Sequence, residues 1–225
     1  MSQQEPLLRN QATPVTGRYW LQPAAAPVED GRAPLLVGCH GYGESARDHL
    51  KELLAIPGIE RWHVAAVEAL HPFYKGRTGD VVRSWMTKED RDFAIGDNVV
   101  YLQRVVASLR RELKTTGTLV FSGFSQGAAM AWRAALRSGW PCHGVIVLGG
   151  DLPADAVAPP PLAWPQVLLG HGQDDPWYTE EKVMDDQRRL EELGVPFRRF
   201  DFAAAHEWHP DFHQTCGDFL ANLHG

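Results

Sequence analysis

The sequence predicts an α/β protein with a mostly parallel central sheet and helices on both faces. Two observations carry this. Short apolar runs at 34–39, 64–69, 118–122, 144–148, 166–170 and 195–202 have the length of buried strands. Segments with helical features stand between most of them, and strands that alternate with helices favour parallel pairing. In such a sheet, ligand sites form at the carboxyl ends of the strands. Each motif of chemical interest falls just after a predicted strand.

Taken in order, residues 1–14 read as a loose polar arm and residues 15–225 as a single domain. An early strand is expected at 18–22. The run 34–39 stops at the glycine-rich His40-Gly41-Tyr42-Gly43-Glu44-Ser45. Ser45 is placed to cap the next helix, with Asp48 three residues on as a capping-box partner. After the strand at 64–69 a long loop is expected over 71–88. The stretch 89–113 reads as an amphipathic helix, because Ile95, Val99, Leu102, Val106, Leu109 and Leu113 recur at spacings of four and three. Gly117 punctuates the chain before the strand at 118–122, and a helix over 125–138 ends at Gly139. Helices are also expected at 179–193 and 207–223. The segment 151–165, with Pro153, Pro159, Pro160, Pro161 and Pro165, reads as an ordered loop, since apolar residues interleave with the prolines.

The chain has 225 residues, enough for one sizeable core. The net charge of −6 removes the electrostatic case for binding nucleic acid or an anionic membrane surface. Cys39, Cys142 and Cys216 form an odd set without a CxxC pair, so no disulfide framework is expected. No signal peptide and no run of transmembrane length stand out. A cytoplasmic location and no stable membrane association are therefore expected.

The strongest motif is Gly123-Phe124-Ser125-Gln126-Gly127, a G-x-S-x-G nucleophile elbow. The elbow holds its serine on a sharp strand-to-helix turn. The residues two before and two after must be nearly free of side chain, hence the glycines. Ser125 then opens a helix, where partial positive charge favours a developing oxyanion. The pattern also occurs by chance as a glycine-rich turn with a capping serine. Here the apolar Leu119-Val120-Phe121 precedes it and the helix former Ala128-Ala129-Met130-Ala131 follows it.

A serine nucleophile needs a general base, and the base needs an orienting carboxylate. On this fold the chain order is Ser, then Asp or Glu, then His. His171-Gly172-Gln173-Asp174-Asp175-Pro176 follows a predicted strand, and spacing alone leaves Asp174 and Asp175 both open. His206 follows the strand at 195–202 and precedes the last helix. The bland readings are turn aspartates and solvent-facing histidines. His206, His209 and His213 also raise a metal site, but H-E-W-H is one residue short of H-E-x-x-H and Pro210 breaks the spacing, so no metal is expected. Tyr42, in the turn after the strand at 34–39, and Gln126, after the nucleophile, are placed to supply oxyanion-hole N–H groups.

Two rival readings compete. Gly41-Tyr42-Gly43-Glu44-Ser45-Ala46 also fits a G-x-G-x-x-A dinucleotide fingerprint, with Glu68 as the ribose-binding acid, which implies a nucleotide-binding oxidoreductase. It leaves the elbow and the Asp and His loops unexplained. The other rival is a non-catalytic scaffold of the same fold used for ligand sensing, against which an intact triad argues.

Five blocks together, HGYGES, GRTGDVVRSWM, GFSQGAAM, HGQDDPW and AHEW, resemble the phospholipase/carboxylesterase family of α/β-hydrolases, which includes acyl-protein thioesterases. The resemblance runs from about Leu35 to the C-terminus. It implies an α/β-hydrolase fold and a serine hydrolase without cofactor that cleaves carboxylic esters or thioesters through Ser125, Asp175 and His206. The alternatives within it are an acyl-protein thioesterase or a lysophospholipase. It implies that Tyr42 and Gln126 donate to the oxyanion, and that Trp85 lines the site. His40, Gly41 and Trp177 are further candidates for substrate contact. Three departures stand out: Ala128 in place of a further glycine, Ala205 in place of the usual glycine before the histidine, and Trp177-Tyr178-Thr179 after the acid. Tyr42, Trp85, Trp177 and Trp208 are expected to line the entrance together, which favours a short or medium acyl group. The partner expected is a small-molecule ester or thioester, and monomer and homodimer both stay open.

Overall fold

The computed structural model describes residues 6–27, 29–158, 161 and 163–223. Nine strands and five α-helices follow one another as β1 (Tyr19–Gln22), β2 (Ala33–Cys39), α1 (Ala46–Leu54), β3 (His63–Val67), β4 (His71–Tyr74), β5 (Val81–Ser84), α2 (Arg91–Glu112), β6 (Thr115–Phe124), α3 (Gln126–Arg137), β7 (Gly144–Leu148), β8 (Gln166–Gly172), α4 (Glu180–Glu192), β9 (Phe197–Phe202) and α5 (Pro210–Ala221). Seven strands make one sheet in the order β1-β3-β2-β6-β7-β8-β9. Every pair is parallel except the edge pair, where β1 runs antiparallel to β3. This is the α/β-hydrolase architecture.

Alternation along the central strands divides the core. Leu35, Val37 and Cys39 of β2 face one apolar cluster, while Leu36 faces the other. The first cluster takes Leu102, Val106 and Leu109 of α2 and Met130, Ala131 and Trp132 of α3. The second takes Ala46 and Leu53 of α1 and Phe212, Cys216 and Phe219 of α5. Helices thus cover both faces, which a parallel sheet requires. The periodic stripe read for α2 is the buried one: Ile95, Leu102, Val106 and Leu109 are buried, and Val99 and Leu113 pack against them. Each fully buried leucine of that stripe stabilises the fold by about 1.5–3 kcal/mol.

Ends match local chemistry. Ser45 caps α1, accepting from the Asp48 N–H at 3.2 Å and donating its hydroxyl to the Asp48 carboxylate at 2.8 Å. Gly139, at φ 76°, follows the C-terminus of α3. Pro210 opens α5 at a position that needs no N–H, and His209 caps it.

The segment expected as a loop over 71–88 instead contains the antiparallel hairpin β4–β5. Gly76 and Gly79, both at positive φ, shape its turn. Residues 6–18 carry no regular structure and are almost all exposed, while residues 1–5 of the expected arm lie outside the described residues. The described part of 151–165 forms no helix or strand. Pro159 and Pro160 lie outside the described residues.

Candidate active site

Because β2, β6, β7, β8 and β9 are parallel, their carboxyl ends share one edge of the sheet. Residues 40–44, Ser125, Gly149-Gly150, Asp175 and His206 all follow those ends.

Ser125 sits between β6 and α3 at φ 54°, ψ −121°, a backbone conformation that L-residues rarely adopt. Such a conformation costs of order 1–3 kcal/mol and persists only where its surroundings enforce it. Here the Ser125 N–H donates to the Leu148 carbonyl at 2.8 Å. A side chain on Gly123 would run into the Gly127 carbonyl, and one on Gly127 into the Cys39 carbonyl. The turn therefore needs both glycines of the motif.

His206 and Asp175 form a close pair, with Nδ1 2.6 Å from Oδ2. The carboxylate only accepts, so the Nδ1 proton lies between them and Nε2 is left as the acceptor nitrogen. The other oxygen, Oδ1, accepts from the Trp177 N–H at 2.8 Å and the Tyr178 N–H at 2.9 Å. Three donors hold Asp175, which is 6% exposed. Asp174 is exposed, and its backbone N–H donates to the Ala204 carbonyl. The choice that spacing left open falls geometrically on Asp175.

Ser125 and His206 line one open cavity of about 300 Å³, together with Gln126, Gly149, Gly150, Trp177 and Tyr178. Two of these residues escaped the sequence reading. A Cβ on Gly149 would lie 2.9 Å from the His206 ring, and one on Gly150 would meet the Ser125 carbonyl and the Ala128 methyl. The pair Gly149-Gly150 directly after a predicted strand was the available signal. Ala128, one of the three departures, thus fills space that only a glycine at 150 leaves free.

The 40–44 turn is braced from several sides. The Gly41 N–H donates to Glu44 Oε2 at 2.7 Å, and the Gly43 N–H to the Arg83 carbonyl of β5. The Tyr42 N–H between them has no acceptor among the described residues. The Gln126 N–H, first in α3, has no intrahelical acceptor. The Gln126 side chain has a role that the sequence did not reveal. Its Oε1 accepts from the Trp85 N–H at 2.8 Å and its Nε2 donates to the Met86 carbonyl at 2.8 Å. It ties the end of β5 to the start of α3.

Three expectations for substrate contact are corrected. Trp85 is fully buried. Its indole donates to the His40 carbonyl at 2.8 Å, and its own carbonyl accepts from Asn98, so it supports the site from beneath. His40 is fully buried too. Its Nε2 accepts from the Ala69 N–H at 3.1 Å, which leaves Nδ1 to donate to the Gly41 carbonyl at 2.7 Å. Burial lowers its pKa and keeps it neutral. Gly41 is buried beneath the turn. Trp177, 69% exposed, does line the cavity. Tyr42 stacks on Phe73 of β4 at 5.1 Å, and Trp208 stacks on His213 at 5.3 Å, so the four aromatics do not form one rim.

The histidines near the C-terminus pair separately. His209 caps α5, and His213 Nε2 lies 3.1 Å from Glu52. Elsewhere, His171, Glu180 and Asp201 converge among the described residues. Arg199 binds both carboxylates there, at 2.6 Å and 2.8 Å, and makes that cluster an ion-pair network. Glu68 faces Arg83 at 3.1 Å, away from any dinucleotide role.

The sequence matches the phospholipase/carboxylesterase family over residues 23–224. The chain belongs to that family. It is thereby a carboxylic ester hydrolase of the carboxylesterase and thioesterase type, which excludes the oxidoreductase rival. Solved structures agree in fold. Esterase PE8 superposes with a TM-score of 0.73 at 24% identity, over 93% of this chain and 100% of that one. Acyl-protein thioesterase 2 of Zea mays gives 0.69 at 19% identity, over 93% and 100%. The carboxylesterase of Bacillus cereus gives 0.68 at 15%, over 92% and 95%. No curated protein matches the chain.

Proposed function

We propose that the protein hydrolyses carboxylic esters of short or medium acyl chain through a Ser125–His206–Asp175 triad and an acyl-enzyme. The observation that carries this is the strained Ser125 turn sharing one cavity with His206, whose Nδ1 is paired with Asp175. In the reaction, Ser125 Oγ attacks the ester carbonyl while its proton passes to His206 Nε2. Asp175 holds the ring in the tautomer that can take it. The tetrahedral oxyanion lies against the Tyr42 and Gln126 N–H groups, each of which is free of an intrachain acceptor in its local structure. Collapse expels the alcohol, which takes the proton back from His206. Water then repeats the sequence on the acyl-serine and releases the acid.

The acyl preference rests on the cavity at Ser125. Its volume of about 300 Å³ is at the small end for ligand pockets. Arg91, Asp151 and Lys182 contribute to its wall beside Trp177 and Tyr178, a poor surface for a long apolar tail. A fluorophosphonate probe tests the nucleophile. The label is expected on Ser125 alone, and Ser125→Ala is expected to lose about 10⁴-fold or more in kcat. A label on another residue, or an active Ser125→Ala, removes the assignment.

A further inference from the structure

His206 also lines a second cleft, of about 540 Å³. Phe124 and Trp208 wall it, and His206 is the residue that both cavities share with Phe124 packed against its ring at 4.8 Å. Its charge is one-sided. Glu44, Asp48, Glu52, Asp80 and Glu207 line it against Lys75 alone. Asp48 is already bonded to Lys51, and Glu52 faces His213. Glu44, Asp80 and Glu207 have no basic side chain within ion-pair distance among the described residues. The wall also holds a buried polar group without a partner. His49 of α1 is 2% exposed, and neither of its ring nitrogens has a hydrogen bond among the described residues. Such a group is costly to leave unpaired unless a ligand or water reaches it.

From the shared imidazole, the carboxylates and the unpartnered His49, we propose that this cleft receives the leaving-group half of the substrate and that this half is a cationic amino alcohol. The inference rests on the esterase reading. His206 must hand its proton to the departing oxygen, so the alcohol leaves on the imidazole's side. There it meets carboxylates that are not neutralised by the chain, and aromatic faces, both of which attract an ammonium. Burial raises the Glu44 carboxyl above its ordinary pKa, a strain that a bound cation relieves.

The test compares two butyrate esters of nearly equal shape, that of 2-(dimethylamino)ethanol, protonated near neutral pH, and that of 3-methylbutan-1-ol. Their uncatalysed hydrolysis rates at the assay pH, where the amine is protonated, correct for intrinsic reactivity. The cationic ester is expected to have a corrected kcat/KM about tenfold above the neutral one. That advantage is expected to shrink at least about threefold in Asp80→Asn/Glu207→Gln, and again in about 0.5 M salt. Both changes are exposed and nearly isosteric, so a thermal melt verifies the fold. A corrected ratio near one, unmoved by the double substitution, overturns the proposal while Ser125 still takes the fluorophosphonate label. Absence of that label together with absence of turnover overturns the esterase reading beneath it.

Discussion

The two adjacent aspartates differ in everything except sequence position. Asp175 is buried with three donors on its carboxylate, and one of them is the His206 imidazole. Asp174 is exposed and contributes a backbone bond. Replacing Asp175 by Asn puts an amide N–H or a neutral oxygen opposite Nδ1. The ring then favours the tautomer whose Nε2 carries the proton and cannot take another. Asp175→Asn is expected to reduce kcat about 10⁴-fold with the fold intact, while Asp174→Asn changes it little. Steady-state kinetics of the two variants, with circular dichroism for the fold, decide the matter. The reverse ranking would mean that the carboxylate next to His206 in the working enzyme is Asp174. Trp85 teaches the complementary lesson at this scale. Its place inside the block GRTGDVVRSWM was legible, but whether the indole points into the cleft or under it depends on the His40 carbonyl, a group forty-five positions away.

At the scale of elements, what could be read followed the strength of the local signal. The stripe on α2, the short apolar strands and the elbow each obey a period or a steric rule, and each appears within a few residues of its expected bounds. The hairpin β4–β5 was hidden because its first strand, His71-Pro72-Phe73-Tyr74, is almost wholly exposed and shows no alternation. Its order comes from outside, through the bridge between Glu44 and Arg83. The wall of the Ser125 cavity has a similar hidden support. Arg133 of α3 is fully buried and binds Asp155 with two bonds, at 2.7 Å and 2.8 Å, which anchors the segment after β7. The two ends of this pair are unequal, since the Asp155 side chain is 39% exposed. Asp155→Ala leaves a buried guanidinium without its anion and is expected to cost about 2–3 kcal/mol, less than for a fully buried pair. Arg133→Met leaves a carboxylate that water and Arg137 still reach, and is expected to cost less than about 1 kcal/mol. Arg133 also holds the Asp155 carboxyl below its ordinary pKa. The stabilisation is therefore present above the unfolded-state value and is lost as pH falls through the depressed folded value. Urea titrations of both variants across acid pH check the ranking and the sign. Equal losses, or a gap between wild type and Asp155→Ala that grows in acid, would contradict it.

On the scale of the whole molecule, the parallel sheet gathers five loops on one edge, where the cavity at Ser125 lies. No helix among the described residues is long and apolar enough to cross a membrane. The cavity at Ser125 is bounded by Gly149-Gly150, Pro153, Trp177 and Tyr178. Tyr178 is itself held. Its hydroxyl donates to the buried Asp186 at 3.0 Å, and Asp186 also accepts the Leu152 N–H at 2.7 Å. One carboxylate thus joins the segment after β7, the Tyr178 wall and α4, so the cavity does not widen without breaking buried hydrogen bonds. A tunnel that sheathed a long chain would gain about 0.8 kcal/mol for each further methylene, and kcat/KM would climb steadily with length. In a short, fixed and partly polar cavity that gain stops once the chain reaches the wall. Across p-nitrophenyl esters from acetate to palmitate, kcat/KM is expected to peak below about eight carbons and then fall. Tyr178→Phe removes the bond to Asp186 while keeping the ring. It is expected to flatten the decline by letting the wall give, with little change for acetate. An optimum at the longest chains in the unaltered protein would instead assign it a lysophospholipase or depalmitoylating role, because only a sheathed tail of that length supplies the extra transition-state binding.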